Sequence, residues 1–188
     1  NEEAMMTLQQ NSLHYFQRPD AKDYLGVDST RRYLNGTGGY LIAGRQGNKR
    51  FVFSEKISWW SPGFDLNDAG YLFMADLILN QSRLSYRKTE PGAILRNFTF
   101  TLSQINGWNY GGDNTYIDIS TQFTTQFTNK WEVSVLETYV LSELATRLLR
   151  GGPSFRLSPY WKNTLTFNTD KSKRVVFLLN NNSLISTD

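Results

Sequence analysis

The sequence predicts an all-β protein, an antiparallel up-and-down transmembrane β-barrel of about eight strands, and three observations predict it. The first is period-two alternation. Phe98, Phe100 and Leu102 interleave with Thr99, Thr101 and Ser103, and beyond a Gly-Gly-Asp-Asn break Ile117, Ile119, Phe123 and Phe127 interleave with Asp118, Ser120, Gln122, Thr124 and Gln126. Such a pattern gives a strand one apolar and one polar face, and here the polar face is hydroxyls and amides with few charges, suited to a wet lumen. The second is composition: 14% aromatic residues accompany a mean hydropathy of −0.46. No stretch approaches the ~18 apolar residues of a membrane helix, and the longest apolar run is Val175 to Leu179. A chain of this kind that spans a bilayer has to do so as a barrel. The third is that short turns and long loops take turns along the chain, the pattern of an outer-membrane barrel.

Taken in order, residues 1–30 lack alternation and read as an irregular lid with a short helix at Ala4 to Gln10, broken by Arg18-Pro19-Asp20. Barrel strands are expected within 31–182, followed by a tail at 183–188. The strands are expected at 32–45, 50–60, 76–88, 94–108, 116–128, 131–144, 160–169 and 174–181. Gly36, Gly38 and Gly39 in the first suggest bends or close backbone approach. Turn residues begin near positions 46, 90, 129 and 170, at intervals of 44, 39 and 41, and the chemistry there (Gln-Gly-Asn, Glu-Pro-Gly, Asn-Lys, Asp-Lys-Ser) is that of tight turns. The connections at 61–75, 109–115 and 145–159 are longer. A strand from Ile94 to Trp108 would rise roughly 50 Å, beyond the ~25 Å apolar band even when tilted.

Aromatics gather where strands meet loops: Trp59, Trp60, Trp108, Tyr110, Trp131, Tyr160 and Trp161. In a barrel these form interfacial girdles; in an ordinary hairpin protein they are core. Two features strain the simple barrel. Glu55 and Lys56 are adjacent within one strand, and Glu137 shares a face with Val133, Val135, Tyr139 and Leu141. Either a bulge resets the register or that surface is covered.

The net charge of +3 arises from basic pairs near turns (Arg31-Arg32, Lys49-Arg50, Arg87-Lys88, Lys173-Arg174), a solvated rim rather than a nucleic-acid groove. Zero cysteine excludes disulfide scaffolds and thiolate metal sites. With no initiator Met at Asn1, the chain reads as a processed or partial product.

Catalytic chemistry has little to stand on. His14 is the single histidine, so a hydrolase would have to pair it with a loop serine such as Ser61 or Ser154. Asp65, Asn67 and Asp68 are oxygen donors at close spacing but lack the glycine and distal glutamate of a calcium loop, and Asn67 and Asp68 suit a turn or cap. Arg150-Gly151-Gly152-Pro153 is a loop in which the arginine serves either an anion contact or the turn itself. No catalytic residue, cofactor or metal site is expected.

Four motifs, HYFQRPD (14–20), WWSPGFDLNDAGYL (59–72), INGWNYGGD (105–113) and LRGGPSFRLSP (149–159), resemble the C-terminal β-barrel of an uncharacterised bacterial family common in Bacteroidetes. Its longer members carry an N-terminal module similar to family 9 carbohydrate-binding domains. The resemblance spans roughly residues 12 to 180 and implies an outer-membrane location, a link to glycan binding or uptake, and no known catalytic residues. Members of that family are several times longer, so the chain reads as part of a larger barrel, although eight strands can close alone.

The function expected is binding or passage of a solute, with a saccharide as the leading class. Trp60, Trp108 and Tyr110 would stack on sugar faces, and Asp65 and Arg150 would supply polar contacts. Membrane lipid, and other outer-membrane or periplasmic proteins, are the macromolecular partners expected. The alternatives are a soluble lipocalin-like barrel with an apolar interior and, behind it, a lipid-acting barrel enzyme using His14.

Overall fold

A computed structural model describes residues 2–45, 47, 50–66 and 72–187. Helix α1 (Glu2–Gln10) opens the chain, and an irregular path leads to β1 (Gly38–Arg45). The remaining strands are β2 (Phe51–Trp60), β3 (Leu77–Lys88), β4 (Leu95–Trp108), β5 (Asn114–Phe127), β6 (Glu132–Ala145), the short β7 (Phe155–Leu157), β8 (Tyr160–Asn168) and β9 (Leu178–Ser186). All pairings are antiparallel, in the order β1-β2-β3-β4-β5-β6-β8-β9, with β7 on the end of β6. The protein is therefore all-β, an up-and-down meander as the alternation predicts. The sheet is open: β1 and β9 are edges and do not pair with each other.

All eight expected strands are present, with two shifted boundaries and one addition. The first begins at Gly38 rather than Arg32 because 35–36 pack against 63–64; a Cβ on Gly36 would lie 2.2 Å from the Phe64 nitrogen. The last runs from Leu178 to Ser186, through most of the expected tail. Val175 to Phe177 lie instead in the connection from β8, which an Asp170 turn (Ser172 N–H to Asp170 Oδ1, 2.9 Å) and a Phe177 N–H to Thr169 Oγ1 bond (2.9 Å) hold out of the ladder. The addition, β7, is too short to show a period.

Opposed residues in an antiparallel pair share a face, so the register sorts the side chains. One row runs Phe53, Leu84, Leu102, Thr121, Glu137, Asn163 and Ser183. The neighbouring face carries Ser85, Thr101 and Gln122. Their burial is the reverse of a soluble sheet. Ser58, Ser85 and Thr101 are 1%, 4% and 5% exposed, whereas Phe53, Leu84 and Leu102 are 52%, 49% and 43% exposed. The buried Ser85 and Thr101 hydroxyls bond each other at 2.9 Å. On the sheet itself, the buried apolar side chains are few, Val140 chief among them; most of the small apolar core (Leu13, Phe16, Leu25, Leu72, Ala75) sits where the N-terminal segment meets the long loops. The accessible surface is 12141 Å², against about 9,200 Å² for a compact monomer of this mass.

The two charged features of the sequence now have places. Glu55 lies on the apolar face, where the Asn80 amide donates to it, and Lys56 lies on the other, its ammonium 5.3 Å from the Tyr40 ring centre. Bulges occur at Leu95/Asn97, Gly107/Trp108 and Ile117/Asp118, and none resets Glu137, which stays on the apolar face between Thr121 and Asn163.

Aromatics mark both ends of the apolar face. At the short-turn end Phe51, Tyr86, Phe98 and Phe123 follow one another at centroid distances of 5.0, 5.9 and 6.0 Å, and Trp131 meets Phe167 edge-on at 5.5 Å. At the long-loop end Trp161 packs on Tyr139 at 4.8 Å. Trp60 and Tyr160 fall on the opposite face by register, paired with Leu77 and Val140.

The close approach of 35–36 to 63–64 gives a test. Gly36→Ala would force the N-terminal segment off the 61–64 turn, at a cost of about 1–3 kcal/mol as in other overpacked sites. Limited proteolysis is expected to release residues preceding β1 faster in the variant, and equal rates would refute the packing.

Candidate functional site

The loop end of the sheet is organised by Asp76, the residue before β3. Its backbone is left-handed (φ 58°), which turns the carboxylate towards two other segments. Tyr24 donates its hydroxyl at 3.0–3.1 Å, the Tyr110 N–H donates at 3.0 Å, and the Arg18 guanidinium stands 4.0 Å away. Behind it the Ala75 N–H donates to the Leu13 carbonyl (3.2 Å). Burial is the largest influence on Asp76 and raises its pKa, outweighing the hydrogen bonds and Arg18 that favour the charged form. The Tyr24 phenol is pushed up, by burial first and by Asp76 second.

Two further clasps hold the N-terminal segment. Lys22 Nζ donates to the Gly111 carbonyl and to Asp113 Oδ1, both at 2.7 Å, and hydrogen bonding from Lys22 lowers the Asp113 pKa. The loop bearing them is closed upon itself: Asp113 N–H donates to Asn109 Oδ1 at 2.7 Å and Asn109 Nδ2 to Asp113 Oδ2 at 3.0 Å. Gly112 (φ 82°) provides a left-handed turn there. The third clasp is Asp20, which takes both the N–H (2.9 Å) and the hydroxyl of Ser154. Burial pushes Asp20 up, but the Ser154 bonds win and leave it below its ordinary value.

Two concave sites result. A cleft of about 840 Å³ is lined by Tyr24, Tyr33 and Tyr110 together with Arg31, Arg32, Asp28, Asn35 and Ser61. A cavity of about 650 Å³ lies across the segment, among Leu13, Phe73, Leu77, Leu144 and Leu148, with Arg18, Arg147 and Arg150.

Of the residues singled out in the sequence, Tyr110 lines the cleft and Arg150 the cavity, while Trp60 and Trp108 line neither. Asp65 is exposed near His14, on which its charge acts, and Asn67 and Asp68 lie outside the described residues. His14 is buried; its Nδ1 stands 3.1 Å from the Leu8 carbonyl and 3.2 Å from Asn11 Oδ1, and burial, its largest influence, lowers its pKa. Neither candidate serine is bonded to it: Ser61 Oγ accepts from the Thr37 N–H (2.7 Å) and the Ser154 hydroxyl goes to Asp20. Among the described residues no three His, Asp or Glu side chains converge as a metal site. Tyr24, Tyr33 and Arg147 were not singled out. The signal that could have found the tyrosines is their position in a segment too aromatic for a solvated lid.

The family model described as a domain of unknown function, DUF5916, matches residues 9–186. The chain belongs to the DUF5916 family. The matched span takes in the N-terminal segment from Gln9 together with the whole sheet, so both concave sites of this DUF5916 domain lie inside it. No curated protein and no solved structure matches the chain.

The Asp76 hub has a pH consequence. Its folded-state pKa lies above the unfolded one, so its contribution is full below the unfolded value of about 3.9 and declines as pH rises through the folded value. Asp76→Asn keeps an acceptor for the Tyr110 N–H while removing the titration. The expected result is a flatter dependence of thermal stability on pH above the unfolded value of about 3.9, and an unchanged slope would exclude Asp76 as its source.

Proposed function

We propose that this domain is a wall of a bacterial outer-membrane β-barrel whose loop end binds a saccharide-type solute for uptake or passage. The observation that carries the membrane half is the inverted sheet: large apolar side chains such as Phe53, Leu84 and Leu102 lie open while the Ser58, Ser85 and Thr101 hydroxyls on the other face are buried. Water penalises exposed apolar area by roughly 25 cal/mol per Å², and a bilayer removes that penalty. Strand length agrees. The 14 residues of β4 rise roughly 46 Å, or about 33 Å at a 45° tilt, enough to cross a ~25 Å apolar band. Aromatic clusters at both ends of the apolar face fit the two interfaces. Glu55, bonded by Asn80 of β3, and Glu137, between Thr121 and Asn163, are local exceptions. Because unpaired backbone groups are not tolerated in lipid, edges β1 and β9 would join further strands, making this domain part of a larger barrel.

The saccharide half rests on the cleft of Tyr24, Tyr33 and Tyr110. Aromatic faces give a flat apolar platform, and the arginines, Asp28 and Asn35 give directed hydrogen bonds around it. A family-9-like carbohydrate-binding module, implied by the motif resemblance, would suit the same ligand class. The lipocalin-like alternative requires apolar side chains turned inward, and the exposure of Phe53, Leu84 and Leu102 counts against it.

Detergent should be needed to extract the protein from membranes, with gel mobility that changes on heating; a chain monodisperse in plain buffer would sink the membrane reading. Leu102→Arg, near the middle of the apolar face, should cost about 2–4 kcal/mol of stability in lipid, measured by urea unfolding in vesicles; a negligible cost would place that face away from lipid. For the cleft, titration calorimetry against a panel of neutral oligosaccharides should show binding that Tyr110→Ala weakens about tenfold, a loss of about 1.4 kcal/mol. Equal affinity in the variant would remove the cleft from the binding role.

A further inference from the structure

The cavity on the other side of the N-terminal segment has a chemistry of its own. Its body is apolar, lined by Phe73, Met74, Leu77, Leu79, Leu144 and Leu148, and its cations are Arg18, Arg147 and Arg150. The carboxylates nearby are occupied, although the His14 Nε2 on the same cavity wall is buried without a partner. Asp76 takes Tyr24, Tyr110 and Arg18, and Glu143 takes the Tyr160 hydroxyl. The donors are not. The Arg18 Nε and Arg147 Nε are buried without a hydrogen-bond partner, as is the Thr115 hydroxyl at the same cavity. The Phe73 ring lies 4.2 Å from the Arg147 guanidinium carbon, and among the described residues neither Arg147 nor Arg150 forms an ion pair.

A buried donor left without an acceptor costs about 1–3 kcal/mol, and such groups are rare in folded proteins. Two guanidinium Nε groups without partners on the wall of one cavity call for an acceptor there. A carboxylate meets that need, because it offers acceptors alone and fits the guanidinium fork in two-point fashion. The leucines and Phe73 require the rest of that molecule to be apolar, and the volume lies within the range of small-molecule pockets.

We propose that this cavity binds an amphiphilic carboxylate, with its head on Arg18 and Arg147 and its aliphatic chain along Phe73, Leu77, Leu144 and Leu148. A fatty acid is the simplest member of the class. The site differs from the tyrosine cleft in position and chemistry, and it depends on neither the membrane nor the saccharide reading.

The test uses the full chain in plain buffer or in amphipol, whichever keeps it monodisperse, with the Arg Nε–H signals followed by NMR. These report the site directly, whatever fraction of the probe enters lipid. Octanoate is expected to shift the Arg147 and Arg18 signals saturably. Octanol, which keeps the chain without the charge, and acetate, which keeps the charge without the chain, are each expected to bind at least tenfold more weakly. Arg147→Gln should weaken octanoate binding about tenfold, read from the Met74 methyl signal, while leaving the fold's other signals in place. An equal response to acetate would make this a plain anion site, and an equal response to octanol an apolar one. Either outcome, or the absence of any shift with octanoate, overturns the proposal. Failure here leaves the extraction and oligosaccharide experiments untouched, so the readings fall separately.

Discussion

A β-strand cannot choose where its alternate side chains go. Once the backbone ladder is fixed, residues two apart share a face and residues one apart do not. In this protein that constraint is imposed by eight strands paired in near-continuous register, interrupted only by bulges at the ends of β4 and β5. Most large apolar side chains of the central strands, such as Phe53, Leu84, Phe100 and Leu102, are carried to one side, and Ser58, Ser85 and Thr101 to the other. Among the described residues the central apolar side chains Phe53, Leu84 and Leu102 stay about half exposed, and Ser58, Ser85 and Thr101 on the polar side are buried. Most of the buried apolar side chains among the described residues gather at the end of the sheet, around Phe16, Leu25 and Ala75.

That end is held by polar contacts of unusual concentration. Asp76 joins the loop before β3 to Tyr24 and Tyr110, Lys22 closes on Asp113, and Asp20 on Ser154. Each is modest alone, since solvent screens the exposed Lys22–Asp113 pair, but together they define a segment with a concave site on either side. The two sites separate by chemistry: tyrosines and mixed polar groups on one side, leucines with unpartnered arginine donors on the other.

Much of this was legible in the sequence because strand alternation is a local property. The long strands between Phe51 and Asn168 lie within two residues of where alternation puts them, and the turn at 129 carries residues suited to it, while Gln46 and Asn48 lie outside the described residues. What failed to read was whatever depended on distant partners. Arg32 to Asn35 have strand-like composition, yet they are diverted by the 61–64 turn. Val175 to Phe177 read as strand and are held in a loop by Thr169. Glu137 could be suspected but not resolved, because what stands opposite it, Thr121 on one side and Asn163 on the other, is set by pairing between strands rather than by local sequence. The sites were harder still. Tyr110 and Arg150 were visible as loop residues, but nothing local shows that Trp60 and Trp108 line neither concave site, or that Tyr24 and Arg18 reach Asp76 across more than fifty positions.

The reach of those clasps also orders events in time. In the sheet each long strand pairs with the next long one, so hairpins can close one after another with little loop entropy to overcome. The contacts of the N-terminal segment are of another kind: Lys22 finds Asp113 across 91 residues and Asp20 finds Ser154 across 134. They have no partner until β5 and the turn after β6 are in place. The first residues made are therefore held late: the Lys22 clasp needs the loop before β5, and the Asp20 clasp and the cavity lined by Arg147 and Arg150 need the turn after β6.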